Sequence, residues 1–491
     1  MHYTILDCYT DEASGLGVPP YLATYARYIF AQLKAEGHQV SYLTIDDLRL
    51  YKKYNNIVKE TKDKDKTNIK IYNLTKNNAE QTLKITDKLV VLLGVHVPGK
   101  YLSAVPGTLR EITPLLRDLK KDLNLPMILT GPAVFGTQLE GGKFFEKIPK
   151  NLFSEIKNYG LNFQDLQKYA IHGAELLKQI PDKRIIEIET GRGCAVGKCS
   201  FCTEPIKSKF ANRKMEDVFE EVIAYYKAGA RYFRLGKQAD FYMSDRPIEL
   251  LKQIRKHCKE IEVLHIDNVN PNSVVADKDH AITKAIVKYC TEGNIAAFGV
   301  ESFDPKVVKE NLLNTAPIIA HKAIEIINKY GAERGPNGMH KFLPGINIIF
   351  GLLGESKKTH AANMQALQRC LDEGLLLRRI NVRQVAVLPN TYLESHGGNK
   401  YLRKNKKYYW KWRNDIRQKI DNVMLGRLLP KETVIKDVYT EIYDGKTTFG
   451  RQIGTYPLTI GIKGRIPLKE KITVKVTKHM LRSITAEVVE E

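Results

Sequence analysis

Short apolar runs alternate with amphipathic stretches over residues 1–175, which is the order expected of a parallel sheet covered by helices. Helices are predicted over Pro20–Glu36 and over 108–120. Residues 50–86 break the pattern, because they are rich in Lys, Asn, Asp and Thr, and they predict an exposed insertion or hairpin. The predicted strands are Tyr3–Cys8, Gln39–Ile45, Lys88–Gly94 and Pro126–Thr130.

The alternation becomes more regular over residues 182–400. Helices are predicted between the strands, for example over Met215–Gly229 and Ile318–Tyr330. Six strands joined by crossover helices predict an open or a closed barrel, and periodicity alone does not separate the two. The strand cores are Ile185–Glu189, Tyr232–Gly236, Glu262–Ile266, Ala296–Glu301, Gly345–Gly351 and Arg379–Val387.

The last part of the chain changes character. Residues 401–429 form a linker that holds a basic, aromatic-rich helix over 403–420. Over residues 430–491, short alternating strands punctuated by glycines predict a small all-β barrel. The predicted strands are Thr433–Tyr439, Tyr456–Ile462, Lys471–Thr477 and Ile484–Val489.

Composition fits a multidomain globular protein. The chain has 491 residues, of which 43% are hydrophobic and 27% charged, so disorder is excluded as its main state. No apolar run reaches the length of a membrane span and the N-terminus lacks a signal-peptide layout, so we expect a cytoplasmic protein without a membrane partner. Lys and Arg number 77 against 55 Asp and Glu, a formal charge of +22. That excess favours RNA or DNA as a partner, and the alternative is a lysine-coated surface.

Three of the seven cysteines lie close together, in a glycine-containing loop after a predicted strand. They are Cys194, Cys199 and Cys202. Structural zinc and ordinary [4Fe–4S] clusters both take four ligands, whereas three thiolates leave one iron free to bind a substrate or cofactor. The spacing therefore favours a catalytic [4Fe–4S] cluster over a zinc site with a distant fourth ligand. The scattered cysteines do not indicate a disulfide framework.

This loop resembles the cysteine motif of the radical S-adenosylmethionine (SAM) superfamily. Two residues separate Cys199 from Cys202, and Phe201 stands at the family's aromatic position. Four residues separate Cys194 from Cys199, one more than is usual. The resemblance implies a partial (β/α)6 barrel over residues 182–400. It also implies a cluster that binds SAM at the free iron and cleaves it with an electron from a low-potential donor.

The resemblance extends to the strand ends that follow, in the family's order. Arg234–Asp240 takes the place of the motif that holds the methionyl amino group, although it lacks the common Gly-Gly-Glu. The family pattern assigns no catalytic residue beyond the cysteines. The SAM contacts that the resemblance implies, besides Phe201, are Gly236, Gln238, Glu301, Ser302, Gly351 and Leu388.

Residues 430–491 resemble a TRAM domain, an RNA-binding module of RNA-modifying enzymes, although a structural cap is the alternative. Tyr408, Tyr409, Trp410 and Trp412 of the preceding helix either stack on bases or pack against the barrel. The basic residues expected to contact RNA phosphates are Lys463, Arg465, Lys469, Lys471 and Lys475.

The N-terminal segment is predicted to be a Rossmann- or flavodoxin-like domain, and it resembles the N-terminal domains of two enzyme families. Methylthiotransferases share the order of the three domains, but their N-terminal domain carries three cysteines where this one has only Cys8, which argues against sulfur insertion. Cobalamin-dependent radical SAM enzymes also carry such a domain. Their Asp-x-His-x-x-Gly motif is represented only by Gly94–Gly99, without the Asp, and Gly131 resembles their glycine loop, so cobalamin stays an open cofactor.

Together these observations predict a radical SAM enzyme that modifies RNA, with tRNA the leading substrate. The alternative is a cobalamin-assisted methyltransferase acting on a protein or a small molecule. A non-enzymatic RNA-binding protein with a zinc loop is a third hypothesis. Because the cluster and the SAM site fall in the middle segment, we expect the C-terminal module to be removable without loss of SAM cleavage.

Overall fold

The structure is a computed structural model. It describes residues 1–9, 22, 24–62, 68–71, 75–94, 107–135, 137–139, 144–146, 148–157, 159, 162–181 and 185–489. The chain divides into two compact units. The first contains Met1–Glu187, Glu220–Phe233 and Glu441–Gly445, and the second contains Ile188–Phe219, Arg234–Thr440 and Lys446–Glu491.

The first unit is built on a five-stranded sheet with the order β2-β1-β5-β6-β9, in which all neighbouring pairs are parallel. This confirms the predicted parallel sheet. The strands of this region are β1 His2–Asp7, β2 Gln39–Thr44, β3 Lys59–Lys62, β4 Asn68–Ile71, β5 Lys88–Leu92, β6 Met127–Thr130, β7 Thr137–Leu139, β8 Phe144–Glu146 and β9 Glu155–Ile156.

Amphipathic helices cover this sheet. In α4 the residues Leu109, Ile112, Leu116 and Leu119 are buried, which is the spacing of one helical face. The helix begins after the N-cap Thr108, whose side chain accepts from the Glu111 N–H. The helices are α1 Thr24–Ala35, α2 Ile45–Tyr54, α3 Ala79–Lys84, α4 Leu109–Leu123 and α5 Phe163–Ala170.

The polar region 50–86 is only in part the predicted hairpin. Strands β3 and β4 do form an antiparallel hairpin. Helix α3, however, buries Ala79 and Leu83 in the core of the first unit. With two apolar positions in a polar stretch, the helix is too short for its periodicity to be read from the sequence. Residues 63–67 and 72–74 lie outside the described part of the chain.

The six strands predicted for the middle segment are all present. They form a three-stranded sheet β10-β13-β14 and a four-stranded sheet β15-β16-β17-β18, and the pairs of the second sheet are parallel. The predicted third strand is β14, and the short strand β15, which was not predicted, follows it after Asp267. The strands are β10 Ile186–Glu189, β11 Gly191–Arg192, β12 Ala211–Asn212, β13 Tyr232–Gly236, β14 Val263–Ile266, β15 Asn268–Val269, β16 Asn294–Glu301, β17 Phe342–Phe350 and β18 Arg379–Gln384.

Helices connect these strands, so that the middle segment repeats a strand–helix unit. They are α6 Glu204–Lys207, α7 Met215–Lys227, α8 Pro247–His257, α9 Pro271–Ala276, α10 Ala281–Tyr289, α11 Pro305–Glu310, α12 Pro317–Gly331, α13 Lys357–Asp372 and α14 Tyr392–His396. The basic helix α15 follows at Lys400–Ile416, continues through one π-helical turn at Arg417–Asp421, and leads into α16 at Asn422–Leu428.

A closed five-stranded barrel ends the chain, with the order β19-β20-β21-β23-β22. This confirms the predicted small β-barrel, but β20 was missed because its sequence is largely polar. Tyr456 was predicted to begin a strand, yet it lies before β21 with a φ of 56°. The strands are β19 Val434–Asp444, β20 Thr447–Gln452, β21 Thr459–Lys463, β22 Lys471–His479 and β23 Ser483–Val488.

Among the helices that the structure describes, none has the length and apolar character required to cross a membrane.

Candidate active site

The three clustered cysteines lie in a loop at the carboxyl end of β10. The loop is held by β11 and β12, which pair antiparallel around it. Gly193 has a φ of 66°, and a Cβ added there would lie 2.7 Å from the Ser208 carbonyl oxygen. Gly197 also has a positive φ, of 57°. Both positions therefore have a backbone conformation that favours glycine.

The thiols of Cys194, Cys199 and Cys202 influence one another. The pKa of Cys199 rises to about 11, first through burial and then with contributions from the neighbouring Cys202 and Cys194. Burial also raises the pKa of Cys202, with a contribution from Cys194. Backbone N–H groups face two of the sulfurs, from Gly197 to Cys194 Sγ at 3.4 Å and from Glu204 to Cys202 Sγ at 3.5 Å. Three half-buried thiols that share one region, with N–H donors beside them, suit the thiolates of an iron–sulfur cluster.

Ser200, between the second and third cysteines, anchors the loop to the buried Asn311. The Ser200 hydroxyl donates to Asn311 Oδ1 at 2.7 Å, and the Ser200 N–H donates to the Asn311 carbonyl at 2.9 Å. Asn311 also binds Leu353, accepting from its N–H at 3.0 Å and donating to its carbonyl at 2.9 Å. This network joins the cysteine loop to the segments that follow β16 and β17. Sequence reasoning did not identify it.

Gly236 and Gln238 lie where β13 ends, next to a left-handed Lys237 with a φ of 67°. The Gln238 side chain is buried and donates to the Leu235 carbonyl at 3.2 Å. The Gln238 carbonyl accepts from Asn268 Nδ2 at 3.1 Å. Its Oε1 is buried and has no hydrogen-bond partner among the described residues. Such an oxygen is an acceptor available to a ligand.

Glu301 ends β16 with a φ of 63°. Burial raises the pKa of its carboxyl group to about 8, against the opposing charge of Arg383. Its Oε2 also lacks a partner within the described part of the chain. Ser302 is buried, and its hydroxyl oxygen accepts from the Asp304 N–H at 3.1 Å, which shapes the turn after the strand.

The space beside Glu301 is open. Gly299 is exposed although it lies in the middle of a sheet. A Cβ added at Gly299 would meet only Glu301 Oε1, at 3.1 Å. The face of β16 next to Glu301 is therefore free of side-chain packing, as expected where a ligand binds.

The turn after β17 is closed by helix α15. Gly351 has a φ of 100°, and a Cβ there would lie 2.4 Å from Leu402. Its N–H donates to Glu355 Oε2 at 2.7 Å, and Asn405 Nδ2 donates to Glu355 Oε1 at 2.8 Å. Burial raises the pKa of Glu355 to about 7. Leu388, after β18, is half-buried, and its carbonyl accepts from Thr391 Oγ1 at 2.7 Å.

The aromatic residues of α15 have different surroundings. Trp412 is 4% exposed and stacks on His360, with ring centroids 5.3 Å apart and an interplanar angle of 14°. Tyr409 meets Phe350 edge to face. Trp412 is therefore buried and cannot stack on a base, but in the described part of the chain its ring packs on Phe350 and His360 of the core and not on the C-terminal barrel as the alternative expected. Trp410 is 68% exposed.

The basic residues predicted to bind RNA lie on the surface of the barrel. Lys463, Arg465, Lys469 and Lys471 are exposed, and Lys475 is half-buried. Lys471 contacts Glu262, and Lys475 Nζ lies 3.0 Å from Glu432 and 3.3 Å from Glu487. Part of the charge of Lys471 and Lys475 is therefore compensated within the protein.

A loop of the C-terminal barrel reaches the interior of the core. The Tyr456 ring lies under the Arg379 guanidinium, 4.2 Å from it, and its hydroxyl donates to Asp267 at 3.4 Å. Arg234 of β13 pairs with Asp267. The buried His265 of β14 accepts the Thr455 N–H at Nδ1, over 3.0 Å. Tyr456 and Thr455 are therefore built into the core, which argues against the expectation that the module can be removed without loss of SAM cleavage.

In the first unit, the residues named for cobalamin are described only in part. His96 and Gly99 lie outside the described residues. Gly131 follows β6 with a φ of 89°, and a Cβ there would lie 2.7 Å from the Leu93 carbonyl oxygen. Cys8 is fully buried, and burial raises the pKa of its thiol well above the ordinary value.

Known proteins are related to the chain in sequence, although no protein-family model matches it. The uncharacterised protein MJ0274 of Methanocaldococcus jannaschii is 37% identical across 99% of this chain and 93% of its own length. The putative methylthiotransferase MJ0865 of the same organism is 29% identical over 222 residues, 43% of this chain and 46% of that protein.

Solved structures of radical SAM enzymes share the fold. The radical SAM methyltransferase TsrM of Kitasatospora setae, solved with tryptophan and a SAM analogue, matches 90% of this chain and 79% of its own, with a TM-score of 0.51 and 11% identity. The cobalamin-dependent SAM radical enzyme OxsB matches 84% of this chain and 56% of its own, with a TM-score of 0.50 and 13% identity. The chain therefore belongs to the family of the archaeal protein MJ0274, and its fold is that of the radical SAM enzymes.

Proposed function

We propose that the protein is a radical SAM enzyme that cleaves SAM reductively and thereby modifies an RNA, with tRNA the leading substrate. Cys194, Cys199 and Cys202 would hold a [4Fe–4S] cluster. The observation that carries this proposal is the position of the three thiols at the same end of the core as the unpartnered oxygens of Gln238 and Glu301.

The residues present fit both groups. A cluster on three thiolates keeps one iron for the amino and carboxylate groups of SAM, and it supplies the electron received from a low-potential donor. Gln238 Oε1 suits an ammonium donor, and Glu301 Oε2 suits a hydroxyl donor. Gly299 keeps the adjoining face open, and Asn311 holds the cysteine loop in place.

The RNA part of the proposal rests on charge and on the C-terminal barrel. The chain carries a formal charge of +22, and Lys463, Arg465 and Lys469 are exposed on the barrel that resembles a TRAM domain. Such residues bind phosphates without reading sequence, so they would position an RNA rather than choose it.

Anaerobic reconstitution tests the cluster. We expect about four irons per chain and SAM-dependent formation of 5′-deoxyadenosine. Ala at all three motif cysteines should abolish both, whereas the matched control Cys290→Ala should keep them. A stoichiometric zinc ion without iron would contradict the proposal. Nucleoside mass spectrometry of tRNA from a deletion strain then tests the substrate, and an unchanged nucleoside profile would count against tRNA.

A cobalamin-assisted methyltransferase acting on a protein or a small molecule is the second candidate. The fold likeness to OxsB and TsrM favours it, because it spans 84% and 90% of this chain. The five parallel strands of the first unit, with the constrained Gly131 after β6, are compatible with such a domain. Stoichiometric binding of hydroxocobalamin by the full chain, kept when the three motif cysteines are replaced, would support this candidate. Its absence would favour the first.

A further inference from the structure

Helix α15 is fixed along the core at both of its ends. Near its start, Asn405 binds Glu355 in the turn that follows β17. At its end, Arg417 Nη1 donates to the Ile380 carbonyl of β18 over 2.6 Å. The 17 residues of α15 rise by about 25 Å. The helix therefore runs from the segments that carry the candidate SAM site to the amino end of β18.

The outward face of α15 is basic and carries one large exposed aromatic ring. The buried positions are Asn405, Trp412 and Ile416. Asp415 is half-buried and its carboxylate lies 3.2 Å from His360 Nε2, so this acid does not face outward. Besides the neutral Asn414, the exposed residues are Lys400, Arg403, Lys404, Lys406, Lys407, Trp410 and Lys411. We call this set the α15 face.

An arginine cluster lies where α15 ends. It comprises Arg378, Arg379, Arg413, Arg417 and Arg482. Two bonds fix its location: Arg378 Nη2 donates to the Tyr456 carbonyl at 3.2 Å, and Asn422 Nδ2 donates at 2.9 Å to the Met480 carbonyl in the turn that carries Arg482.

The arginines of this cluster lie close enough to lower one another's pKa. The pKa of Arg378 falls to about 10, first through burial and then through the charges of Arg379 and Arg482. The pKa of Arg482 also falls to about 10, first through burial and then through Arg417. The Asp421 carboxylate pairs with Arg417. Like charges at this density favour binding of an anion.

The members of the cluster differ in accessibility. Arg417 is only 5% exposed, so it lies beneath the surface and positions its neighbours. Arg413 is half-buried and Arg482 is exposed, so these two guanidinium groups are the ones that a phosphate on the surface can reach. A guanidinium group suits a phosphate because the phosphate oxygens accept several donors at once.

We propose that the α15 face and the arginine cluster form one track that binds a single-stranded segment of RNA, with phosphates on the basic side chains and an unpaired base on Trp410. This inference rests on the proposed RNA substrate and names the surface that binds it. Trp410 is 68% exposed, and the Arg413 guanidinium lies 5.3 Å from its ring. An aromatic ring flanked by phosphate-binding side chains is the arrangement that binds single strands.

Trp410 allows binding to be measured directly, because Trp410 and Trp412 are the two tryptophans of the chain and Trp412 is buried. We expect a 12-nucleotide single-stranded RNA to quench the exposed emission of the full-length protein. Trp410→Ala should weaken binding about tenfold. Arg413→Ala with Arg482→Ala should reduce the slope of log K against log salt by about 1.4, since each lost phosphate contact on a single strand contributes about 0.7.

Matched variants decide where the RNA binds. Lys463→Ala with Arg465→Ala removes the same charge from the barrel, and it should weaken binding less than the arginine pair does. The opposite ranking, or unchanged affinity after Trp410→Ala, would overturn the proposal. Polyglutamate should bind equally well to Trp410→Ala and to the unchanged protein, and equal losses for RNA and polyglutamate would contradict stacking.

The two proposals fail in different ways. RNA affinity is measured without SAM or reductant, so a protein that binds RNA along the track but holds no iron would refute only the enzyme. A protein that cleaves SAM and binds RNA with the same affinity in all variants would refute only the track. Iron content and thermal unfolding of each variant show whether it is folded.

Discussion

The two ends of the core strands are built differently. At the carboxyl end, the cysteine loop lies with the unpartnered oxygens of Gln238 and Glu301, and Gly299 leaves a strand face open. At the amino end of β18, Tyr456 is 8% exposed and lies against Arg379, and its hydroxyl extends to Asp267 after β14. The first end is prepared for a ligand, and the second is filled by the protein itself. Ligands of parallel α/β proteins bind at carboxyl ends of strands, so the difference agrees with that rule.

The residues that pack into this part of the core belong to a loop of the C-terminal barrel. His265 accepts from Thr455, and a Cβ at Gly454 would lie 3.0 Å from the His265 ring. The barrel therefore contributes to the stability of the core, independently of any ligand that it binds. Removing residues 430–491 should therefore destroy cooperative unfolding of the second unit, and single substitutions give sharper tests.

The largest effect is expected at Tyr456. Tyr456→Ala should lower the free energy of unfolding by about 4 kcal/mol, because it empties a buried aromatic site beside charged groups. Tyr456→Phe removes only the hydroxyl that donates to Asp267, and it should cost about 1 kcal/mol. Denaturant unfolding of both variants measures the difference. Equal and small losses would show that the amino end is not packed as described.

Asn311 holds the cysteine loop at the carboxyl end, and its replacement should cause the next largest loss in the free energy of unfolding. Asn311→Ala leaves Ser200 and Leu353 without buried partners, and we expect a loss of about 3 kcal/mol. It should also lower the iron retained after reconstitution, because the cysteine loop is released. The exposed neighbour Lys309→Ala is the control. Full iron content in Asn311→Ala would show that the loop holds its shape without this anchor.

His265 makes the stability of the core depend on pH, because it is buried where the core meets Thr455 of the C-terminal barrel. Burial lowers its pKa to about 4, below the 6.5 of an exposed histidine. Between pH 6.5 and pH 4, His265 is therefore protonated in the unfolded chain but neutral in the folded chain. The free energy of unfolding falls as the pH decreases through this range. The loss should reach about 2.5 kcal/mol at pH 4.5. His265→Gln, unfolded over the same pH range, should lack this part of the slope, and parallel slopes would contradict the assignment.

The strands of the core were predictable because apolar runs of that length are local features. Tyr232–Gly236 is observed with the predicted bounds, and the cysteine motif is contained in one loop. The sequence did not reveal β20, whose burial depends on closure of a barrel. A positive φ at Tyr456 also overrides its aromatic preference for a strand.

The supports of the site were not predictable for a different reason. Ser200 and Asn311 are 111 positions apart, and neither residue type indicates a site by itself. Trp410 and Trp412 are two positions apart in one basic helix, yet one is exposed and the other buried. Only the packing of α15 on the core distinguishes them.

The smallest effect on stability, and the most specific, is expected at Gln238. Its buried Oε1 has no partner in the described residues, so Gln238→Leu removes an unsatisfied acceptor and should change the free energy of unfolding by less than about 1 kcal/mol. If the oxygen binds SAM, the same substitution should raise the Kd for SAM about tenfold, which corresponds to about 1.4 kcal/mol. Gln238→Glu keeps an acceptor and should bind SAM more tightly than the Leu variant. Equilibrium dialysis with the reconstituted protein measures these constants. Lower stability with unchanged SAM affinity would place Gln238 in the packing of the core, and the carboxyl end would then lose one of the two groups that distinguish it from the amino end.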